Sequence, residues 1–347
     1  MKVTAMSMPQ DTKLHCIGAG ACGSVWSTNY DDGNHATATA FKREDGAKGR
    51  SLLNDYQVHL SILQALQRCP EHISTWFRIP QCHGFVRPEE LPPLLLQRFQ
   101  LEYQQPCNIL ISQRIPPLSK TTRDILCDKY CPPRFLDQIK ADPRSVDCMI
   151  RPYLGRRRGP ASSGRQSKFQ SFSLRNHVVS VDQMDDLEIT AEMKEQYAVA
   201  MARALAFMHW CARIDADDVE FVLSPPPPDV THEETQGRNT ACFESQSLGR
   251  YSLWILDFDR CKPLTLDEEG ITLAKKAFYR NDLYFPRPGR AHPEDQRLWS
   301  VFKSAFLDAS QSIIKSDACG ALEIPEDLPI GLMEAIESGV GCSSTTT

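Results

Sequence analysis

The chain has 347 residues, 41% hydrophobic and 24% charged, which is the balance of a folded domain rather than a disordered or fibrous chain. Its 39 Lys and Arg face 44 Asp and Glu, and the net charge of −5 excludes a generally cationic nucleic-acid binder. No apolar run approaches the roughly 18 residues of a membrane-spanning helix, and Met1–Leu14 has no apolar core of a secretion signal, so a cytoplasmic or nuclear protein is expected.

Short strand-like runs come first: Lys13–Ile17, Ser24–Thr28 and Ala36–Lys42. A helix is predicted over Leu52–Leu66, where Leu52, Leu53, Tyr56, Leu60, Leu63 and Leu66 share a face. Strands Gly84–Val86 and Ile109–Gln113 follow. Two further helices are predicted, Thr190–Trp210 and Asp295–Ile314, with a strand at Ser252–Leu256 between them. Strands, helix, strands and then mostly helices predict an α+β fold of two lobes. The expected boundaries are 1–115 for a small β-rich lobe, 116–320 for a larger helical lobe, and 321–347 for a tail. Ser224–Gly249 begins with four consecutive prolines at 225–228 and reads as a long exposed insertion.

The 13 cysteines are spread along the whole chain and are expected to be reduced thiols. Cys127 and Cys131 are the closest pair, and no second pair at zinc-finger spacing completes a four-ligand set. From Cys148 to Val181 there are seven basic residues, among them Arg151, Arg156, Arg157, Arg158 and Arg175, and no acidic one. That stretch fits a solvated loop, an anion site or an acidic-partner contact.

Gly18-Ala-Gly20-Ala-Cys-Gly23-Ser-Val25 carries glycines that let a backbone approach phosphates closely. A dinucleotide site needs a helix at this point. Here Ser24–Thr28, a polar turn and Ala36–Lys42 read as a β-hairpin, so a loop folded over ATP phosphates is the better fit, with a plain glycine turn as the bland alternative. Lys42, in Ala40-Phe41-Lys42, would point a cation at the phosphates. Asp55 could pair with it, or could be only an acid at a helix N-terminus. Asp215 with Glu220 five residues on fits a catalytic loop ahead of the apolar Phe221-Val222. Asp257-Phe258-Asp259 fits a metal-binding turn at a strand end. Each of these could alternatively be a solvated acidic turn.

In Gly18–Val25, Tyr153–Arg158, Ser173–Asn176, Met208–Trp210, Asp215–Leu223, Trp254–Cys261 and Phe278–Pro288 the chain resembles the protein-kinase-like superfamily. More narrowly, it resembles a fungal kinase-like family known only as a domain of unknown function, over roughly residues 12–315. The resemblance implies a two-lobed protein-kinase-like fold with ATP in the cleft, bound by Gly18, Gly20, Gly23, Val25, Lys42 and Asp55. It implies Asp215 and Lys42 as catalytic residues, and Asp257 and Glu220 as ligands of Mg2+. Glu220 in place of Asn, Asp259 in place of Gly and the lack of an Ala-Pro-Glu platform argue against a protein substrate. What remains is a small-molecule phosphotransferase or a weak pseudokinase that binds a regulatory partner, with fungal specialised metabolism as its setting.

Overall fold

The structure is a computed structural model that describes residues 13–28, 39–158, 172–226, 242–316 and 324–339. Residues 36–38 of the third expected strand, Arg165, Lys168 and the proline run from 227 onward lie outside the described residues. The described residues form an α+β fold with two five-stranded sheets.

The first sheet holds β1 (His15–Ala19), β2 (Ser24–Ser27), β3 (Thr39–Arg43), β4 (Cys82–Val86) and β5 (Ile109–Gln113), in the order β1-β2-β3-β5-β4. All its pairings are antiparallel. Trp26, Phe41, Phe99 and Ile109 pack beneath it. The helix Leu52–Leu66 begins where the sequence predicts because two acceptors satisfy its first amides. Ser51 Oγ accepts from Asn54 N, and Glu44 Oε1 accepts from Leu52 N at 2.7 Å.

The second sheet holds β6 (Ile150–Tyr153), β7 (His177–Ser180), β8 (Glu220–Ser224), β9 (Phe243–Ser245) and β10 (Gly249–Leu256), in the order β7-β6-β8-β10-β9. The larger half of the chain is mainly helical, as the periodicity suggested, and carries in addition a sheet of which the sequence pattern marked only Ser252–Leu256. Its strands are short and buried on both faces, so they lack the alternation that would have marked them. The expected insertion Ser224–Gly249 is also narrower than predicted. Ser224 closes β8 fully buried, and Phe243, Ser245 and Leu248 are buried beside β10.

Ala191–Ala206 is capped by Thr190 and packs against Pro293–Ile314, with Trp210 Nε1 donating to Ser310 Oγ at 2.8 Å. The segment 321–347, read as a tail, contains the helix Leu328–Ser338. It buries Leu328, Leu332, Met333 and Ile336, and its Ile336 carbonyl accepts from Tyr279 Oη on the neighbouring helix Glu268–Arg280. One segment stitches the two halves together: Arg78 N donates to Leu253 O at 2.8 Å, and Ile255 N donates to Arg78 O at 2.9 Å.

A turn of π-helix, Phe207–Cys211, ends the central helix and buries His209, whose Nδ1 meets the Ile214 carbonyl at 3.0 Å. Burial pushes the pKa of this imidazole down to about 4 from 6.5. The folded chain holds it neutral while the unfolded chain takes a proton, so its stabilisation is present above pH 6.5 and is lost as pH falls towards 4. At pH 5 this one group should have cost about 2 kcal/mol of stability relative to pH 7.5. Urea unfolding at both pH values should show His209→Gln losing less on acidification than the unsubstituted chain. Equal losses would show that this imidazole is not a source of the acid sensitivity.

Candidate active site

The turn between β1 and β2 is held from outside the glycine motif. Asp45 accepts from Ser24 N at 2.7 Å, from Ser24 Oγ, and from Arg43 Nε at 3.0 Å. A Cβ on Gly23, whose φ is +153°, would lie 1.9 Å from the Arg43 carbonyl oxygen. A Cβ on Gly46 would lie 2.4 Å from the Ala21 carbonyl oxygen. Those two close approaches require glycine. Gly20 faces open space and makes the turn's own bond, Gly20 N to Gly23 O at 2.9 Å.

Beneath this turn lies a cavity of about 190 Å³. Ile17, Val25, Ala40 and Leu110 of the first sheet line one wall, and Met149 and Leu256 of the second half line the other. Its polar end carries Lys42, Asp55, Asp257, Glu220 and Arg151. Gly18, Gly20 and Gly23 also line it, so this one cavity brings together all the predicted nucleotide and metal residues. Asp215 is the one predicted site residue that is not on its wall.

Lys42 projects from β3, and its Nζ donates to Asp55 Oδ2 at 2.6 Å and to Asp257 Oδ1 at 2.7 Å. Both readings of Asp55 hold: it lies in the first turn of its helix and it pairs with the lysine. Its other oxygen accepts from Phe258 N at 3.2 Å, which ties the helix to the Asp257-Phe258-Asp259 turn. Burial acts to lower the Lys42 pKa, but Asp55 and Asp257 hold it well above the ordinary lysine value. The ammonium is therefore a permanent cation at neutral pH.

Within the Asp257-Phe258-Asp259 turn the positive φ falls on Asp257 (67°). The Asp259 side chain is fully buried, and burial pushes its pKa up to about 6. Its Oδ1 meets Arg50 Nη1 at 3.2 Å, while Arg50 Nη2 donates to Asp218 Oδ2 at 2.7 Å. Asn54 Nδ2 donates to the carbonyls of Asp259 at 2.9 Å and Cys261 at 3.1 Å. Sequence reasoning passed over Arg50, Asn54, Asp45 and Gly46, because none belongs to a motif and each acts through a contact with a distant segment. Only the Asp45-Gly46 pair, a turn signal straight after Lys42, could have been noticed.

In the loop after the central helix, Asp215 is 1% exposed. Its Oδ1 accepts from Lys262 N at 2.8 Å and from Asp217 N at 3.2 Å, and its Oδ2 is buried without a partner. Burial raises the pKa of both Asp215 and Asp217. Arg280 Nη1 lies 3.2 Å from Asp217 Oδ2.

Glu220 opens β8 opposite Leu256 of β10 and also meets β6, where both its oxygens accept from Arg151 Nη2 at 2.6 Å. Burial pushes its pKa up to about 7, against the opposing pull of Arg151. Part of the basic stretch is neutralised within the chain. Arg157 pairs with Glu294 and Asp295, and Arg158 pairs with Asp182 and Asp186. Cys22 also lines the cavity, but burial pushes its thiol up to about 12, so it stays protonated.

A protein-family model, DUF3669, described as a zinc finger protein, matches residues 253–318. This corrects the resemblance to a fungal kinase-like family over residues 12–315, because the family that matches carries a different description and covers only a small part of the chain. No curated protein matches the chain. The matched segment does not fit a zinc finger. Its Cys261 is buried with Sγ directed at the Asp217 carbonyl, and burial holds that thiol well above its ordinary pKa. Among the described residues no three His, Cys, Asp or Glu side chains form a metal-ligand set. Dialysis against a zinc chelator should therefore leave the melting temperature unchanged, as read by differential scanning fluorimetry. A drop of several degrees, restored by Zn2+, would contradict this.

Proposed function

We propose that the chain binds ATP in the cavity between its two sheets, in a kinase-like arrangement of two lobes, and transfers the terminal phosphoryl group to a small molecule. The observation that carries this reading is Lys42, bonded to Asp55 and Asp257 on the wall of a cavity roofed by a glycine turn. The apolar walls suit a flat heteroaromatic base, and the polar end suits a polyphosphate. Lys42 supplies the cation for the phosphates, and the glycine turn lets the backbone approach them.

Asp257 fits Mg2+. It is the more exposed of the two carboxylates on Lys42, with its side chain 26% accessible, and it offers hard oxygen donors. Mg2+ is commonly held by one or two carboxylates plus the substrate's own phosphates, so a site without a three-residue ligand cluster suits it. When bound, the ion would neutralise charge on the phosphates. Asp215, whose Oδ2 has no partner, would accept the proton of the acceptor hydroxyl.

A second reading, a nucleotide-responsive module that binds a partner without turnover, is favoured by one observation: Asp215 is buried and off the cavity wall. Both readings require nucleotide binding. ATP with Mg2+ should raise the melting temperature by a few degrees at about 100 times the Kd, because a ligand of the folded state alone stabilises it by mass action. Lys42→Ala and Asp55→Asn, each measured against its own nucleotide-free midpoint, should reduce that shift at least by half. No shift at millimolar nucleotide would remove both readings. Release of labelled phosphate from ATP then separates them: turnover abolished by Asp215→Asn supports transfer, and its absence supports the binding module.

A further inference from the structure

The polar end of the cavity holds two cations, Lys42 and Arg151, against three carboxylates, Asp55, Asp257 and Glu220. Lys42 serves Asp55 and Asp257 together. Glu220 has its own counter-ion, since one nitrogen of Arg151 reaches both its oxygens at 2.6 Å. The pairing is built into the second sheet, where β8 lies between β6 and β10. Glu220 on β8 stands opposite Leu256, one residue before Asp257, and meets Arg151 of β6 on its other side.

The guanidinium also meets a second carboxylate. Its Nη1 lies 3.6 Å from Asp282 Oδ2, a carboxylate that also accepts from Tyr153 Oη at 2.5 Å. Its Nε is buried and has no acceptor, and the hydroxyl of buried Tyr284 also lacks a partner. An arginine whose pairing with its carboxylates leaves donor hydrogens over can still contact a further oxyanion.

We propose that the Arg151–Glu220 pair takes the place of a second metal ion, with Arg151 as the cation that meets the terminal phosphate of a nucleotide bound with a single Mg2+. This rests on the nucleotide reading above. A second divalent ion on Glu220 would have to displace Arg151 from both carboxylate oxygens and leave two cations crowded at one place. A single ion on Asp257 disturbs neither partner of the pair. Glu220 thus acts as a positioning residue that aims Arg151, and not as a metal ligand, the role the sequence pattern suggested.

The test is a titration of Mg2+ against affinity for a fluorescent ATP analogue, in the unsubstituted chain and in Glu220→Gln, Arg151→Gln and Arg151→Lys. The unsubstituted chain should show a dependence on a single Mg2+. Glu220→Gln frees Arg151 for phosphate and should tighten binding in chelator by about tenfold or more. Arg151→Gln removes the cation that meets the terminal phosphate, so it should weaken binding in chelator by a similar factor and steepen the Mg2+ dependence. Arg151→Lys keeps the charge, so it should retain the single-ion dependence, and it serves as the control if Arg151→Gln fails to fold. Binding by the unsubstituted chain with two Mg2+, reduced to one by Glu220→Gln, would overturn the proposal and leave the nucleotide reading intact. So would an Arg151→Gln chain with an unchanged Mg2+ dependence. No binding by the unsubstituted chain at any Mg2+ concentration would instead remove the nucleotide reading itself.

Discussion

The Lys42 ammonium, shared between Asp55 and Asp257, is the interaction on which the rest of the structure depends. It joins three segments that are remote in sequence: a strand of the first sheet, the helix behind it, and the turn that follows the longest strand of the second sheet. Removing one cation and two carboxylates from water is costly, and the attraction repays it only where geometry and further hydrogen bonds are good. The surrounding contacts supply them. Phe258 N donates to Asp55, Asn54 holds the turn's carbonyls, and Arg50 clasps Asp218 and Asp259. The start of one helix is thereby fixed against both acidic loops of the other half of the chain.

The same arrangement sets the charge of the cavity. Carboxylates outnumber cations at its polar end, so an anionic ligand is better accommodated with a counter-ion of its own. The internal pairing of Arg157 and Arg158 takes those two members of the basic stretch out of contention as an anion site. Among the described residues of that stretch, Arg151 is the basic one that reaches the cavity.

The order of elements was legible in the sequence wherever a single periodicity or turn signal stood alone. Leu52–Leu66 is a helix over the predicted residues, and the glycine turn with its hairpin and Lys42 lies where the strand signals put it. The second sheet was not legible, because β6, β7 and β8 are four or five residues long and buried without alternation. Of the site, the residues carried by motifs were found and their supports were not. Arg50, Asn54 and Arg151 act across 69 to 209 residues of chain, a relation that no local pattern encodes. Asp259 shows the same. Its sequence position suggested no structural partner, yet its buried side chain is held by Arg50. The family match over residues 253–318 covers the Asp257-Phe258-Asp259 turn and the helices Glu268–Arg280 and Pro293–Ile314, and it leaves Lys42, Asp55 and Arg151 outside.

The central claim is that one ligand is gripped by the glycine turn and the Lys42–Asp55–Asp257 constellation at once. Amide hydrogen exchange followed by mass spectrometry, with and without ATP and Mg2+, tests it most directly. The account predicts that exchange slows together in Gly18–Val25 and Leu256–Phe258, and that the helix Glu268–Arg280, remote from the cavity, is unchanged. Unchanged exchange in both cavity segments at saturating nucleotide, or protection confined to a surface away from them, would contradict it.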